Sequence, residues 1–275
     1  MRIAISHDTT YRYERPARSV IQTLRLTPRN HEGQYVVSWR IMLSADCKLD
    51  QHQDAFGNIT HSFTAEGPVE ELVVHVEGQV EIENTGGMVK GAIERFPPDL
   101  FLRETSLTEA DGAIAATARR IQADAGPDTL AVLHALLARL YADMTFDADP
   151  TGVATTAREA FALKRGVCQD YTHIFISAAR HLGIPARYVS GYFCRADGVT
   201  EQDAGHAWAE ALVPDLGWVA FDPTNGISAT DQHLRIAVGL DYLSAAPVRG
   251  AQSGGGGETL SVRVLVDQAM RQIQS

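Results

Sequence analysis

The chain has 275 residues and a mass of 29.9 kDa, enough for one large core or two ordinary ones, and two domains are expected. A formal net charge of −10 and a pI near 5.4 disfavour nucleic acid and anionic lipid as partners, and no apolar run approaches the roughly 20 residues of a membrane-spanning helix. Three widely spaced cysteines, Cys47, Cys168 and Cys194, without a CxxC pair, argue against a disulfide framework.

The start of the chain, Met1 to Asp8, turns polar too early for a secretory leader and reads as a first strand, so a cytoplasmic location is expected. Up to about Thr85 the pattern is that of short β runs: Ile3 to Tyr13, Ser19 to Thr27, Gln34 to Ser44, Asn58 to Ala65 and Leu72 to Ile82. Turn-formers such as Pro28-Arg29-Asn30 and Glu66-Gly67-Pro68 separate them, and the whole predicts an antiparallel β-sandwich. Residues 84–98, with Gly86-Gly87 and Pro97-Pro98, read as a connection, which puts a domain boundary near residue 100.

Beyond it the apolar period becomes helical over Leu107 to Ala125 and over Thr129 to Met144. A third helix is expected from Cys168 to about Leu182, stopped by Gly183 and Pro185. β-rich sequence returns at Ala186 to Cys194, His206 to Val213 and Trp218 to Thr224, with Pro214 to Gly217 as a hairpin loop. Helices followed by an antiparallel sheet make the fold class α+β, with a core over 101–250 and a segment 251–275 whose strand, Thr259 to Asp267, returns to one of the sheets. The glycines from Gly254 to Gly257 read as a flexible loop without a phosphate-binding context.

Three short segments carry the chemistry: Gly166-Val167-Cys168-Gln169-Asp170-Tyr171, Gly205-His206-Ala207-Trp208 and Phe221-Asp222-Pro223-Thr224. A cysteine attacks a carbonyl as the thiolate, so it needs a base, and the base needs an acceptor that fixes its tautomer. At the opening of a helix Cys168 lies beside unpaired amides and the positive end of the helix dipole. Gly166 lets the chain turn in tightly before it. His206, Trp208 and Glu210 share one strand face, as do Trp218, Ala220 and Asp222 on the next strand. If Val213 pairs near Trp218, His206 comes within about one pair of Asp222. The expected roles are nucleophile for Cys168, general base and then acid for His206, and orienting acid for Asp222. The Cys168 amide is the first oxyanion donor; Gln169 and Tyr171 are the neighbours considered for the second.

These stretches, together with Leu182 to Tyr192, Gly217 to Gly226 and Asp241-Tyr242, resemble the transglutaminase-like superfamily of papain-type thiol enzymes, in its bacterial branch with an added N-terminal β-domain. The resemblance is strong over about 130–250. It implies a nucleophile helix packed on an antiparallel sheet, the same triad, and acyl-enzyme chemistry of the cysteine-protease kind. Where the branch commonly shows an arginine, this chain has Leu240.

The expected activity is a cysteine hydrolase that cleaves a peptide or protein amide through a thioester. Transglutaminase activity, with an amine in place of water, uses the same residues, and a binding module that has lost turnover is the alternative of a different class. No cofactor is expected. A zinc site on Cys168, His206 and Asp222 lacks a further Cys or His at ligand spacing, and no calcium loop is present, so no metal is expected either. Trp208, Trp218, Arg187, Tyr188 and Tyr192 read as packing residues, Glu210 as a cross-strand contact, and His134, His173, His181 and His233 as solvated or capping residues without a role.

Overall fold

The computed structural model describes residues 1–269 of the chain; residues 270–275 of the expected C-terminal segment lie outside the described residues. In chain order, strands β1 (Arg2–Thr27), β2 (Gln34–Leu43), β3 (Asp50–Gln53), β4 (Ile59–Ile82) and β5 (Met88–Val89) precede helices α1 (Gly112–Ala125) and α2 (Thr129–Asp143). Next come β6 (Thr145–Phe146), α3 (Ala157–Leu163), β7 (Arg165–Gly166) and α4 (Cys168–His181). The chain continues through β8 (Ala186–Phe193), β9 (Glu201–Gln202), β10 (His206–Val213), β11 (Gly217–Asp222), β12 (Ile227–Ser228) and β13 (His233–Gly239), then α5 (Tyr242–Ala245), β14 (Val248–Gly254) and β15 (Glu258–Gln268). The fold is α+β. No helix among the described residues is long and apolar enough to cross a membrane.

The first sheet has seven strands in the order β2-β4-β1-β15-β9, with β14 beside β1 and β3 beside β4. Where short runs are expected, β1 and β4 are continuous strands of 26 and 24 residues. Their ladder shifts register between Arg12 and Ala17 and again between Ala17 and Ser19, next to Pro16 on one strand and Gly67-Pro68 on the other. The polar residues that look like turns are therefore bends within strands. Trp39 shows that the sheet folds over there. It lies opposite Gly78, which lies opposite Ile5, yet its indole N–H donates to the Leu26 carbonyl at 2.9 Å. A straight β1 would carry Leu26 about 70 Å from Ile5. The folded sheet encloses its own apolar core, including Tyr11, Val20, Leu24, Phe63, Leu72 and Val74, to which no helix contributes. It is sandwich-like, but made from one sheet.

Both ends of the chain build this sheet. Strand β15 runs antiparallel to the first half of β1, from Ile3 opposite Gln268 to Tyr13 opposite Glu258, and β14 runs beside the second half. The glycines between them form a specific turn: Gly254, Gly255 and Gly256 have φ of 79°, 81° and 75°, a region that side-chain-bearing residues rarely enter three times running.

The second sheet, β12-β11-β10-β8-β13, is antiparallel and buried on both faces. Met88 and Val89 of β5 pair with Val219 and Trp218, so the segment read as a connection already contributes an edge to it. One face, with Ala207, Ala209, Ala211 and Phe221, packs in the same core as α4, and the other buries Trp208, Val189, Ala220 and Val238. From Gln169 to Arg180 every residue of α4 is buried, because the sheet covers one side of the helix and α1, α2 and α3 cover the other. Asp111 and Asp128 accept amides at the N-termini of α1 and α2, which explains why both begin later than or at the expected positions.

Glu210 sits in the second sheet, fully buried and directly opposite Arg187. The Arg187 guanidinium is 1% exposed; its Nε donates to Glu210 Oε2 at 2.6 Å, its other nitrogens bridge to Glu94, and it lies 4.0 Å from the Trp218 ring centroid. Arg235 Nε donates to Glu210 Oε1 at 2.7 Å from the other side. Burial alone would raise the Glu210 pKa, but Arg235 and Arg187 overcome it and hold the carboxyl down at about 2. A carboxyl depressed in the folded state stabilises above its unfolded pKa and loses that contribution as pH falls through the folded value. The Glu210 contribution is accordingly expected to disappear between about pH 4.5 and 2. Glu210→Gln leaves two arginines without their shared carboxylate, and denaturant unfolding at pH 7 is expected to show a loss of about 3–5 kcal/mol; a loss below about 1 kcal/mol would contradict this account.

Candidate active site

Cys168 is the first residue of α4, so its backbone N–H has no intrahelical acceptor. The turn that delivers it is tied down by Asp170, whose Oδ2 accepts from the Val167 amide at 2.8 Å and from the Thr151 hydroxyl at 2.8 Å. Gly166 is required by this packing, because a Cβ there would stand 2.5 Å from Asp170 Oδ2. Burial raises the Asp170 pKa, opposed by those two hydrogen bonds.

His206 opens β10 opposite Gly191 of β8. The β10–β11 ladder pairs Leu212 with Trp218 and Ala209 with Phe221, one residue away from the pairing expected around Val213. That residue matters. Continued outward, the ladder sets Asp222 opposite Trp208, diagonal to His206 and on the same face, whereas the alternative register would set them on opposite faces. The Nε2–H of His206 donates to Asp222 Oδ2 at 2.7 Å. Nδ1 remains as the nitrogen for Cys168. Burial would lower the His206 pKa, but the Asp222 carboxylate, and after it the Cys168 sulfur, raise it to about 10.

Asp222 is fully buried and accepts from five donors. Besides His206, Asn225 Nδ2 donates to Oδ2 at 2.6 Å and His233 Nε2 at 3.1 Å, and the amides of Thr224 and Asn225 donate to Oδ1 at 3.0 and 3.2 Å. Against the cost of burial, His206 and His233 hold this carboxyl well below the usual carboxylate range. Sequence reading missed His233. It is buried on β13 rather than solvated, and its Nδ1 accepts the Thr230 amide at 3.1 Å, which leaves Nε2 as the proton-bearing nitrogen. Burial pushes its pKa down, so it donates to Asp222 as a neutral ring. Its only sequence signal is placement on the strand that pairs with β8 at Phe193. His173 is also corrected: it is fully buried in α4, and its Nε2 accepts the Tyr242 amide at 3.0 Å. His134 and His181 are exposed as expected.

His206, Asp222 and His233 bring three donor atoms within 4.8 Å of one another. The contacts through Asp222 are 2.7 and 3.1 Å, hydrogen-bond lengths. Ligands of a tetrahedral zinc at 2.0–2.1 Å would stand about 3.3 Å apart. The cluster is a hydrogen-bonded relay by this measure.

A cleft of about 250 Å³ opens at Cys168 and His206. Its catalytic-core side includes Gln169, Tyr188 and Tyr242; Tyr171, by contrast, is carried into the core. Tyr188 packs between the rings of His173 and Tyr242, and burial followed by the nearby Cys168 charge raises its pKa well above the ordinary tyrosine value. Its hydroxyl keeps its proton. The opposite side of the cleft comes from the first sheet, through His7, Thr9, Tyr11, Leu260 and Val262. Leu240 gives its carbonyl to buried Arg180 at 2.7 Å, so its backbone serves the core.

The profile of the bacterial transglutaminase-like N-terminal region matches residues 3–81, and that of the transglutaminase-like superfamily matches residues 115–223. An uncharacterised protein of Mycobacterium leprae is 34% identical over 277 residues, covering 96% of this chain and 97% of that protein. A protein-glutamine gamma-glutamyltransferase of Pseudomonas aeruginosa is 32% identical over 144 residues, 46% of this chain and 21% of that protein. A crystal structure from Cytophaga hutchinsonii, of a protein provisionally assigned as a cysteine protease, superposes with a TM-score of 0.77 at 18% identity, covering 98% of this chain and 92% of that one. By its two matched regions and its full-length relative, the chain belongs to the transglutaminase-like superfamily.

Proposed function

We propose that the protein is a thiol hydrolase that cleaves an amide or peptide bond through a thioester on Cys168. The observation that carries this reading is a helix-initial cysteine sharing one cleft with a histidine whose far nitrogen is bound to a saturated, buried carboxylate. In the Cys168–His206 pair the proton sits on His206 Nδ1, Sγ attacks the carbonyl as the thiolate, and Nδ1–H then delivers that proton to the leaving amine. Water, deprotonated by the now neutral His206, splits the thioester, releasing the acid and restoring the thiolate beside the imidazolium. Asp222 fixes the ring and stabilises the imidazolium, and His233 and Asn225 hold Asp222 in place. The Cys168 amide donates to the tetrahedral oxyanion, and Tyr188 supplies the second donor that neither Gln169 nor Tyr171 is placed to give. Gln169 has its amide turned to the Val153 carbonyl at 3.4 Å.

An amine in place of water would make the same site a transglutaminase. The partial match to a protein-glutamine gamma-glutamyltransferase favours keeping this second reading. Product mass separates them: free acid for hydrolysis, amine adduct for transfer.

Iodoacetamide is expected to label Cys168 in the intact protein far faster than a peptide thiol at pH 7, to leave Cys168→Ala unlabelled at that rate, and to label His206→Ala slowly. The rate is expected to survive dialysis against EDTA. Labelling of wild type no faster than the peptide would remove Cys168 from the role of nucleophile.

Because His206 holds its proton to about pH 10, the alkaline limb of hydrolysis is expected near that value. Asp222→Asn removes the largest raising charge, so the limb is expected to move to lower pH with a fall in kcat of about 10³-fold or more. An unmoved limb would separate Asp222 from His206. Tyr188→Phe is expected to lower kcat by about 10²-fold while leaving the alkylation rate of Cys168 nearly unchanged; equal loss of both would make Tyr188 a packing residue.

A further inference from the structure

The first sheet presents one continuous face to the catalytic core. Along β1 the odd residues point inward, Ile3 and Ile5 into the shared core and His7, Thr9 and Tyr11 onto the cleft. On β15 the residues paired with them are Val264, Val262 and Leu260, so the two strands form a patch of three cross-strand pairs on one side of the sheet. Val264 is buried, while Leu260 at the outer end is 54% exposed, an apolar side chain left at the mouth of the nucleophile's cleft.

The chemistry of this patch is uniform. Among the described residues that line the cleft there is no Asp, Glu, Lys or Arg. His7 adds no charge at neutral pH, since burial pushes its pKa down to about 4 against the pull of Asp8, and its ring nitrogens are taken up by the Tyr192 hydroxyl at 2.7 Å and the Thr9 hydroxyl at 3.0 Å. A charged group laid against the β1–β15 face would lose water without gaining a counter-charge from that face, the His206 imidazolium lying on the catalytic-core side, whereas an apolar group would exchange water for Val262, Leu260 and Tyr11.

We propose that the face formed by β1 and β15 is the specificity wall of the enzyme and selects acyl donors whose side chain next to the reacting carbonyl is uncharged and apolar. This inference rests on the reading of Cys168 as the nucleophile and adds to it the substrate class. The wall also explains why the first sheet is part of the enzyme: it faces the nucleophile and supplies one side of the cleft.

The test uses the full chain and four acetyl-dipeptidyl chloromethyl ketones that carry Leu, Phe, Glu or Lys beside the ketone. In each, Sγ displaces chloride, a thioether forms, and intact mass reports the rate. The Leu and Phe probes are expected to label Cys168 at least about tenfold faster than the Glu and Lys probes. Leu260→Lys is expected to raise the rate for the Glu probe, and Leu260→Glu that for the Lys probe; the residue is already more than half exposed, so both variants are expected to melt near the wild type. Equal rates for all four probes, with Cys168 still labelled, would overturn the specificity wall and leave the thiol reading intact. Preserved wild-type preferences in both charged variants would overturn the assignment to β15. Failure of every probe and of iodoacetamide at Cys168 would overturn the nucleophile and this inference together.

Discussion

The placement of β10 between two antiparallel neighbours, with Leu212 opposite Trp218 on β11 and Glu210 opposite Arg187 on β8, governs most of what this molecule does. Because strand side chains alternate with period two, His206 and Glu210 share one face of β10, so that strand's place between its neighbours brings His206 to Asp222 and Glu210 to its arginines. A one-residue slip of β10 against β11 would turn the imidazole from its carboxylate, and one against β8 would leave Arg187 without the carboxylate that faces it. The buried ion network and the relay are thus two readouts of one constraint. The network is costly to desolvate, but it penalises every register except this one. Next to it, the cysteine needs only a helix end. A helix buried from Gln169 to Arg180 has little freedom to shift along its axis, so the position of its first residue is set by the packing of all the others.

The catalytic half was the more readable in the sequence, for a physical reason. Local signals coincide there: Gly166 before Cys168, a helical apolar stripe ending at Gly183, and a hairpin loop between two strands of matching parity. Helix α4 and strands β10 and β11 lie within one or two residues of expectation, whereas α1 starts five residues later than its apolar period suggests. His233 was not readable, since its importance comes from a strand three places along the sheet and no spacing rule links it to Asp222. The short helix α3 went unread because its seven residues fall below the length at which periodicity is visible, although its Thr156–Glu159 capping pair marks its start. In the first sheet, the composition around Pro16 and Gly67-Pro68 announces turns, whereas the two breaks lie opposite each other and become one corner of a continuous ladder. Breaks in register with each other bend a sheet; breaks out of register would end it.

The relation between the two halves was the least readable. A sequence divides most naturally at its change of period, near residue 100. Pairing ignores that division. Met88 and Val89 join the catalytic sheet from before it, and β14 and β15 join the first sheet from beyond residue 247. The loop that leads into His206 is held in the same way, since Gln202 of β9 pairs with Val264 of β15. The approach to the histidine is therefore anchored on the sheet that faces it.

The late position of β15 in the chain has a consequence for how the protein is made. The helix and strands that carry Cys168, His206, Asp222 and His233 have all been synthesised by Gly239, but Leu260 and Val262, which complete the cleft, come afterwards. Chains emerge from the ribosome from the N-terminus and fold as their parts become available. During that interval β1 offers an open edge where β15 will lie, and the nucleophile faces only part of its cleft. If Cys168 and the β1–β15 face act as proposed, a nascent chain thus holds its thiol before it holds the surface that restricts what the thiol can meet, and selectivity is the last property the polypeptide acquires.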